Sequence, residues 1–195
     1  MNKRVFDFIA SLAGVVLLAP LFLLVAFWIK LDSPGPVFFR QQRVGKNGQL
    51  FNIIKFRTMQ DDAHETLLTI GHDRRITNAG RFLRRHKLDE FPQLFNVIAG
   101  DMSLVGPRPE VPRYVDCYPA DVRSVVLSVS PGITDWASIY YKEENSLLGR
   151  AADPEQAYLE TILPAKLKYN LRYVHERSFW TDLRIIFSTL GALLR

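Results

Sequence analysis

The chain has 195 residues, 48% of them hydrophobic and 12% aromatic, with 25 Lys+Arg against 20 Asp+Glu and a net charge of +5. That balance excludes a disordered or collagen-like chain, and the length suits one domain, with or without an appendage. The one cysteine, Cys117, excludes an internal disulfide and any multi-cysteine zinc or iron–sulfur site.

The hydrophobic residues are concentrated at the start. Val5 to Ile29 is apolar apart from Asp7 and Ser11, with Gly14 and Pro20 inside it. A straight helix of this length, about 37 Å, is long enough to cross a hydrocarbon core of about 30 Å. No small-residue cleavage site follows the run, so a secretory signal is not expected. Lys3 and Arg4 precede it, and Lys30, Arg40, Arg43 and Lys46 follow it. Basic flanks favour the cytoplasmic side, so neither end favours translocation. Pro20 removes a helix hydrogen bond and kinks the helix, leaving two limbs of about 20 Å that are each too short to span. A bent, re-entrant helix is therefore preferred to a plain transmembrane anchor. Trp28 and Lys30 then mark the interface.

Ser33-Pro-Gly-Pro36 is a hinge. Val37–Val44 and Leu50–Phe56 flank Gly45-Lys-Asn-Gly48, and Asn-Gly between two strand-like runs predicts a β-hairpin. Gln60–His72 is polar and predicts a loop with a short helix. Asn78–Lys87 predicts a basic helix. From Leu88 to Gly100 a second helix is expected, with Asp89 as N-cap, Pro92 in the first turn and Gly100 as the stop. Ser103–Pro112 predicts a proline-rich loop and Asp121–Val129 a short helix. Pro154–Ser178 predicts helix interrupted at Pro164. In Ser178–Arg195, Phe179, Leu183, Ile186, Leu190 and Leu193 recur at helical spacing. With Trp180 this last helix suits either the membrane plane or the domain core.

Phosphate-loop, dinucleotide-binding and nucleophile-elbow signatures are absent. His64, His72, His86 and His175 have no metal-ligand spacing. What remains is a carboxylate pair among cations. Asp89-Glu90 directly follows Arg84, Arg85 and Lys87, and nearby cations favour ionised carboxylates that can act as nucleophile or hold a hard divalent cation. Ordinary helix capping explains the pair equally well. In Gly106-Pro107-Arg108-Pro109 two prolines fix the backbone around one guanidinium suited to phosphate, or simply make a rigid turn. Lys55 and Arg57 share a strand face that either meets phosphate or is the wet side of the sheet. A phosphate-rich substrate with a lipid partner accounts for this set most economically. A basic domain can also bind anionic lipid, whereas no nucleic-acid module is present.

The chain resembles the bacterial sugar transferases, specifically the small monotopic phosphoglycosyl transferases. The likeness runs through Lys55-Phe-Arg-Thr-Met59, Leu83-Arg84, Leu88-Asp-Glu-Phe-Pro-Gln93 and Pro131-Gly-Ile-Thr134. It is strongest in Asn96-Val-Ile-Ala-Gly-Asp-Met-Ser-Leu-Val-Gly-Pro-Arg-Pro109. The resemblance implies transfer of a sugar 1-phosphate from a UDP-sugar to undecaprenyl phosphate, giving a lipid diphosphosugar and UMP, the first membrane step of surface glycan synthesis. It implies Asp89 as the nucleophile, Glu90 as a Mg²⁺ ligand, and Lys55, Arg84 and Arg108 as phosphate-positioning groups. It also implies an inner-membrane location, with the catalytic domain on the cytoplasmic face and downstream glycosyltransferases as partners.

The chain departs from the family pattern at three places. Ala19 stands before the kink proline where Ser is frequent, Phe91 replaces the usual Leu, and Asp135-Trp-Ala-Ser138 replaces a Gly-aromatic-Ala-Gln pattern in a region tied to sugar choice. Larger members carry further membrane helices and another domain, so this chain corresponds to their core. The expected fold is α+β and mainly helical: a kinked re-entrant membrane helix (1–32), then a membrane-associated catalytic domain (33–195) with a β-hairpin and amphipathic interfacial helices. A non-catalytic membrane scaffold for glycan assembly is the alternative, and an ordinary glycosyltransferase, releasing UDP, is a third reading.

Overall fold

The computed structural model describes residues 2–60, 73–142 and 144–193. The loop expected over Gln60–His72, with His64 and His72, lies outside the described residues except for Gln60.

Helix α1 runs from Lys3 to Asp32 and is continuous through the exposed Pro20. By length and composition it can cross a membrane. One side joins the protein core: Phe22, Val25 and Ile29 pack with Phe56, Ala79 and Leu83. Burying each such side chain contributes about 1.5–3 kcal/mol. The other side exposes Val16, Leu17, Leu23, Leu24, Phe27 and Leu31.

Both ends of α1 are fastened to the same body. At its start, Lys3 Nζ lies 2.6 Å from Asp182, and Ser103 Oγ donates to Asp7 Oδ2 at 2.7 Å. Arg4 donates to the carbonyls of Val97 and, at 3.0 Å, Ile98, at the C-terminal end of a later helix, where a cation is favoured. At the other end the Ala79 amide donates to Asp32 Oδ2 at 2.8 Å, so α1 supplies an acceptor to the helix that starts there.

The hairpin forms as expected. Strands β1 (Phe38–Val44) and β2 (Leu50–Phe56) pair antiparallel, with Phe38 opposite Phe56 and Val44 opposite Leu50. Asn47 and Gly48 take positive φ (56° and 78°) in the turn, the conformation that Asn-Gly tolerates best. Helix α2 (Asn78–Arg85) starts against the exit of β2. A Cβ on Gly80 would lie 2.1 Å from the Thr58 carbonyl oxygen, so only glycine allows that approach.

The segment after α2 departs from expectation. Lys87 is left-handed (φ 55°), and Leu88–Glu90 forms a short 3₁₀ turn. Helix α3 starts only at Gln93, runs to Ala99, and has Pro92 at its N-cap position. Asp89 is therefore not the N-cap: the sharp turn at Lys87 breaks the chain direction before a helix can begin. Gly100 stops α3 as expected, with φ 102°.

The loop expected over Ser103–Pro112 contains strand β3 (Ser103–Val105). After α4 (Pro112–Val115) and α5 (Ala120–Val126), strand β4 (Gly132–Thr134) returns parallel to it. Three-residue strands are too short to show a period in sequence; they form here because the chain comes together. A Cβ on Gly132 would lie 2.0 Å from the Gly106 amide nitrogen, so the two glycines permit the contact.

Helices α6 (Trp136–Tyr140), α7 (Glu144–Leu148), α8 (Pro154–Ala157), α9 (Leu163–Glu176) and α10 (Phe179–Leu193) complete the fold. No break occurs at Pro164. A π-helical turn, Tyr158–Ile162, joins α8 to α9, and Pro164 sits in the first turn of α9. An α register would drive the proline ring into the carbonyl four residues back, and the wider turn avoids this. Helix α10 buries Ile185 against Val105 and Tyr173, while Trp180 and Phe187 are exposed. The molecule is thus α+β and mainly helical, with two small two-stranded sheets among the described residues.

Candidate active site

A cavity of about 370 Å³ opens where β2, the 3₁₀ turn, the Gly106–Val111 loop, α6 and α9 converge. Lys55, Arg84, Lys87, Asp89, Glu90 and Arg108 line one part of it. The local folding explains why. Lys55 is the next-to-last residue of β2, and Arg84 lies in the last turn of α2. The turn at Lys87 carries Asp89 and Glu90 inward, and Arg108 is held between two prolines.

Glu90 collects two cations. Lys55 Nζ donates to Oε1 at 2.9 Å, Arg108 Nη1 donates to Oε2 at 2.9 Å, and Arg108 Nη2 also donates to Oε1. Burial pushes the Glu90 carboxyl up, but Arg108 and then Lys55 outweigh it and hold it well below the usual range. Glu90 in turn raises the Arg108 guanidinium, while burial lowers the Lys55 amine. Arg84 is anchored by one edge, Nε donating to Thr58 Oγ1 at 2.8 Å.

Asp89 differs from its neighbour. It is buried, and its Oδ1 has no hydrogen-bond partner. Burial, then the adjacent Glu90, raises its carboxyl above the usual value. Two adjacent carboxyls with opposite shifts are the pattern expected of two different chemical roles. A capping carboxylate would spend its oxygens on backbone amides, and this one does not.

Arg57 is not in the cavity. It follows the last residue of β2 and is buried against the linker after α1, donating to the Ser33 carbonyl at 2.8 Å, to Ser33 Oγ at 3.0 Å and to the Pro34 carbonyl. The strand-face argument fails because Arg57 lies past the end of the regular strand, where the linker offers bare carbonyls. The flanking residues are also placed. Trp28 packs on Phe82 with ring centroids 5.3 Å apart, and Lys3 and Arg4 bind protein groups at the foot of α1.

The remaining part of the cavity holds residues that motif reading did not single out. Lys166 Nζ lies 3.1 Å from Glu110 Oε1 and 3.2 Å from Glu144 Oε2, and Tyr158 donates its hydroxyl to Glu110 at 2.7 Å. Arg43 approaches Glu110 at 3.6 Å. Burial pushes the Glu110 carboxyl up, but Lys166 and Arg43 outweigh it and hold it below its ordinary value. A buried lysine in the first turns of a helix, Lys166 being the fourth residue of α9, has no local signature. Only adjacency of Glu110 to the Pro-Arg-Pro motif could have pointed here.

A carboxylate pair among several cations, in a chain with one helix long and apolar enough to cross a membrane, is a composition suited to phosphate chemistry. The comparisons agree. The chain matches the bacterial sugar transferase family over residues 1–195 and belongs to it. It is 37% identical to a UDP-N-acetylgalactosamine-undecaprenyl-phosphate N-acetylgalactosaminephosphotransferase of Aeromonas hydrophila, over 98% of this chain and 43% of that protein. It is 38% identical to a UDP-glucose:undecaprenyl-phosphate glucose-1-phosphate transferase of Caulobacter vibrioides, over 100% of this chain and 70% of that protein. The exopolysaccharide production protein PSS of Rhizobium leguminosarum bv. phaseoli is 37% identical, over 96% of this chain and 92% of its own length.

Proposed function

We propose that this protein is a phosphoglycosyl transferase that moves a sugar 1-phosphate from a UDP-sugar to undecaprenyl phosphate, initiating synthesis of a surface polysaccharide. The observation that carries the reading is Asp89: a buried carboxyl with an unpartnered oxygen at the end of the cavity lined by Lys55, Arg84, Lys87 and Arg108. Such a group is poorly solvated and therefore a strong nucleophile once ionised.

In the first step an Asp89 oxygen attacks the β-phosphorus. The bond from that phosphorus to the bridging oxygen breaks, and UMP leaves with the bridging oxygen. Arg84, fixed by Thr58, offers its terminal nitrogens to the diphosphate, and Lys55 and Arg108 neutralise charge on the same side. In the second step a phosphate oxygen of undecaprenyl phosphate attacks the same phosphorus, and the bond to Asp89 breaks. Lipid diphosphosugar leaves and the carboxylate is restored.

The donor set also fits Mg²⁺. A carboxylate offers about four lone-pair sites, and the three hydrogen bonds to Glu90 leave one on Oε2. Mg²⁺ commonly needs only one or two carboxylates alongside substrate phosphates. Glu90 would hold it, with Asp89 as the adjacent carboxylate in the chain. When bound it would offset negative charge on the diphosphate and on leaving UMP.

The reading includes the membrane. Both ends of α1 are tied to one body, which supports a re-entrant helix entering and leaving by the cytoplasmic face of the inner membrane. Its exposed apolar side, with Trp180 on α10, would then meet phospholipid. Cysteines placed at residue 2 and near residue 33 should both resist an impermeant reagent applied outside the cell; labelling of residue 2 alone would restore a spanning helix.

The test of the chemistry is nucleotide release. Purified protein with Mg²⁺, UDP-sugar and polyprenol phosphate should release UMP, and Asp89→Asn should abolish release. UDP as the product would instead indicate cleavage at the sugar carbon, as in an ordinary glycosyltransferase.

A further inference from the structure

The cavity has two chemically different ends. The dyad end holds Lys55, Arg84, Lys87 and Arg108 against Asp89 and Glu90, a cationic excess that suits a diphosphate. The other end holds Arg43 and Lys166 ion-paired with Glu110 and Glu144, and Lys142 at its rim donates to the Ala192 carbonyl at 2.7 Å. A surface whose cations are engaged with protein groups and whose polar atoms can still hydrogen-bond suits an uncharged polar ligand.

The two ends are joined by three residues. Arg108 reaches Glu90, and Glu110, two positions on, reaches Lys166 and Tyr158. Positions two apart are separated by at most about 7 Å of backbone. That is the scale of one pyranose ring. The ion-paired end therefore adjoins the groups placed on phosphate.

It also has unused hydrogen-bonding capacity. Ser138 Oγ lines the cavity and is buried without a partner, although the Ser138 amide is bonded to Asp135 at 2.7 Å. Arg43 Nε is likewise buried and unpartnered. Glu144 is the least buried carboxylate of the group, its side chain 23% exposed, and Lys166 engages only its Oε2. Glu110, by contrast, is enclosed by Lys166, Tyr158 and Arg43.

We propose that Glu144 and Ser138, held by the Lys166–Glu110–Tyr158 network, form the subsite that reads the hydroxyls of the transferred sugar and so set donor choice. Glu144 Oε1 accepts from a ring hydroxyl, and Ser138 Oγ donates to or accepts from a neighbouring one. Lys166 and Glu110 are positioning residues, since each is already spent on the network. This inference rests on the transferase reading and adds the location of the sugar.

The test uses the full chain in lipid nanodiscs, with Mg²⁺, polyprenol phosphate and a panel that includes UDP-glucose and UDP-N-acetylgalactosamine. UMP release gives kcat/KM for each donor, and UMP is also assayed as an inhibitor. Glu144→Gln and the milder Ser138→Ala should change the ratio of kcat/KM between two donors by about tenfold, because a lost hydrogen bond to one hydroxyl weighs differently on different sugars. Inhibition by UMP should stay within about twofold, because UMP carries no sugar at this position. Unchanged donor ratios in both active variants would overturn the proposal. Parallel weakening of UMP inhibition would overturn it too, by placing the nucleoside at this end. Failure of the wild-type chain to release UMP from any donor would be a different result, sinking the transferase reading itself.

Discussion

The foot of α1 and the dyad end of the cavity are built from the same residue types and are finished differently. At the foot, Asp7 accepts from Ser103, and Asp182 accepts from Lys3 and from Tyr173 at 2.8 Å. Both aspartates are buried, and neither has an orphaned oxygen. In the cavity, Asp89 is equally buried, yet its Oδ1 is unpartnered while four cations stand around it. A closed network minimises the cost of burying charge, which is what a scaffold needs. An open one keeps an oxygen and several cations free for a ligand, at a cost in stability.

That contrast can be broken by substitution, and the largest effect belongs to the open site. Asp89→Asn should lower UMP release by at least about 10³-fold. Its melting temperature in detergent should hold or rise, since a buried carboxyl without a partner is removed. Full activity in this variant would end the nucleophile assignment. Next comes Glu90→Gln, expected to cost about 10–100-fold in turnover and to raise the Mg²⁺ requirement. An unchanged metal titration would argue that Glu90 serves only to hold Lys55 and Arg108.

The closed site should behave in the opposite way. Asp7→Ala removes an acceptor from the Ser103 hydroxyl, leaving it the Val105 carbonyl, and takes the Leu104 amide's side-chain acceptor, so it should destabilise the fold by about 1–3 kcal/mol. KM for the UDP-sugar should move by less than about twofold. A selective rise in KM would show that the foot of α1 reports to the cavity. Arg57→Lys tests the linker in the same manner. Loss of its bonds to Ser33 and Pro34 should cost about 1 kcal/mol with kinetics unchanged, whereas a raised KM would return Arg57 to the phosphate-binding set.

The smallest effect concerns acid stability. Glu110 is held below its ordinary value by Lys166, Arg43 and the Tyr158 hydroxyl acting against burial, with Glu144 and Arg108 nearby. A carboxyl lowered on folding stabilises the protein above its unfolded value, about 4.3, and that contribution is lost as the pH falls through the folded value. Wild type and Glu110→Gln should therefore differ most in stability near neutral pH and converge below about pH 4. A gap that does not change with pH would show that the ion pairs contribute nothing net.

Much of this was legible in the residues, for local reasons. The hairpin needed only Asn-Gly between two strand-like runs, and it forms with the expected limits to within a residue. The stop at Gly100 and the last helix also followed from local rules. The errors share a cause. Asp89 was expected to cap a helix because its neighbours in sequence allow one, and the left-handed Lys87 that prevents it has no residue signature. Strand β3 exists only because β4 lies beside it. Arg57 was placed with Lys55 by strand alternation, and the carbonyls of Ser33 and Pro34, 23 and more residues earlier, claimed it.

The sequence by itself determined the long apolar helix and its basic flanks, the hairpin and the cation-rich company of Asp89 and Glu90, because these depend on neighbours within a few positions. It also carried the family motifs. Only the tertiary structure decided which cations reach the carboxylates: Lys55 and Arg108 meet on Glu90 across 35 and 18 positions, while Arg57 turns away. It alone joined Lys166 to Glu110, 56 positions apart, and so gave the cavity its ion-paired end. Electrostatic contacts fall off with distance in space, and chain order sets that distance only within a single element.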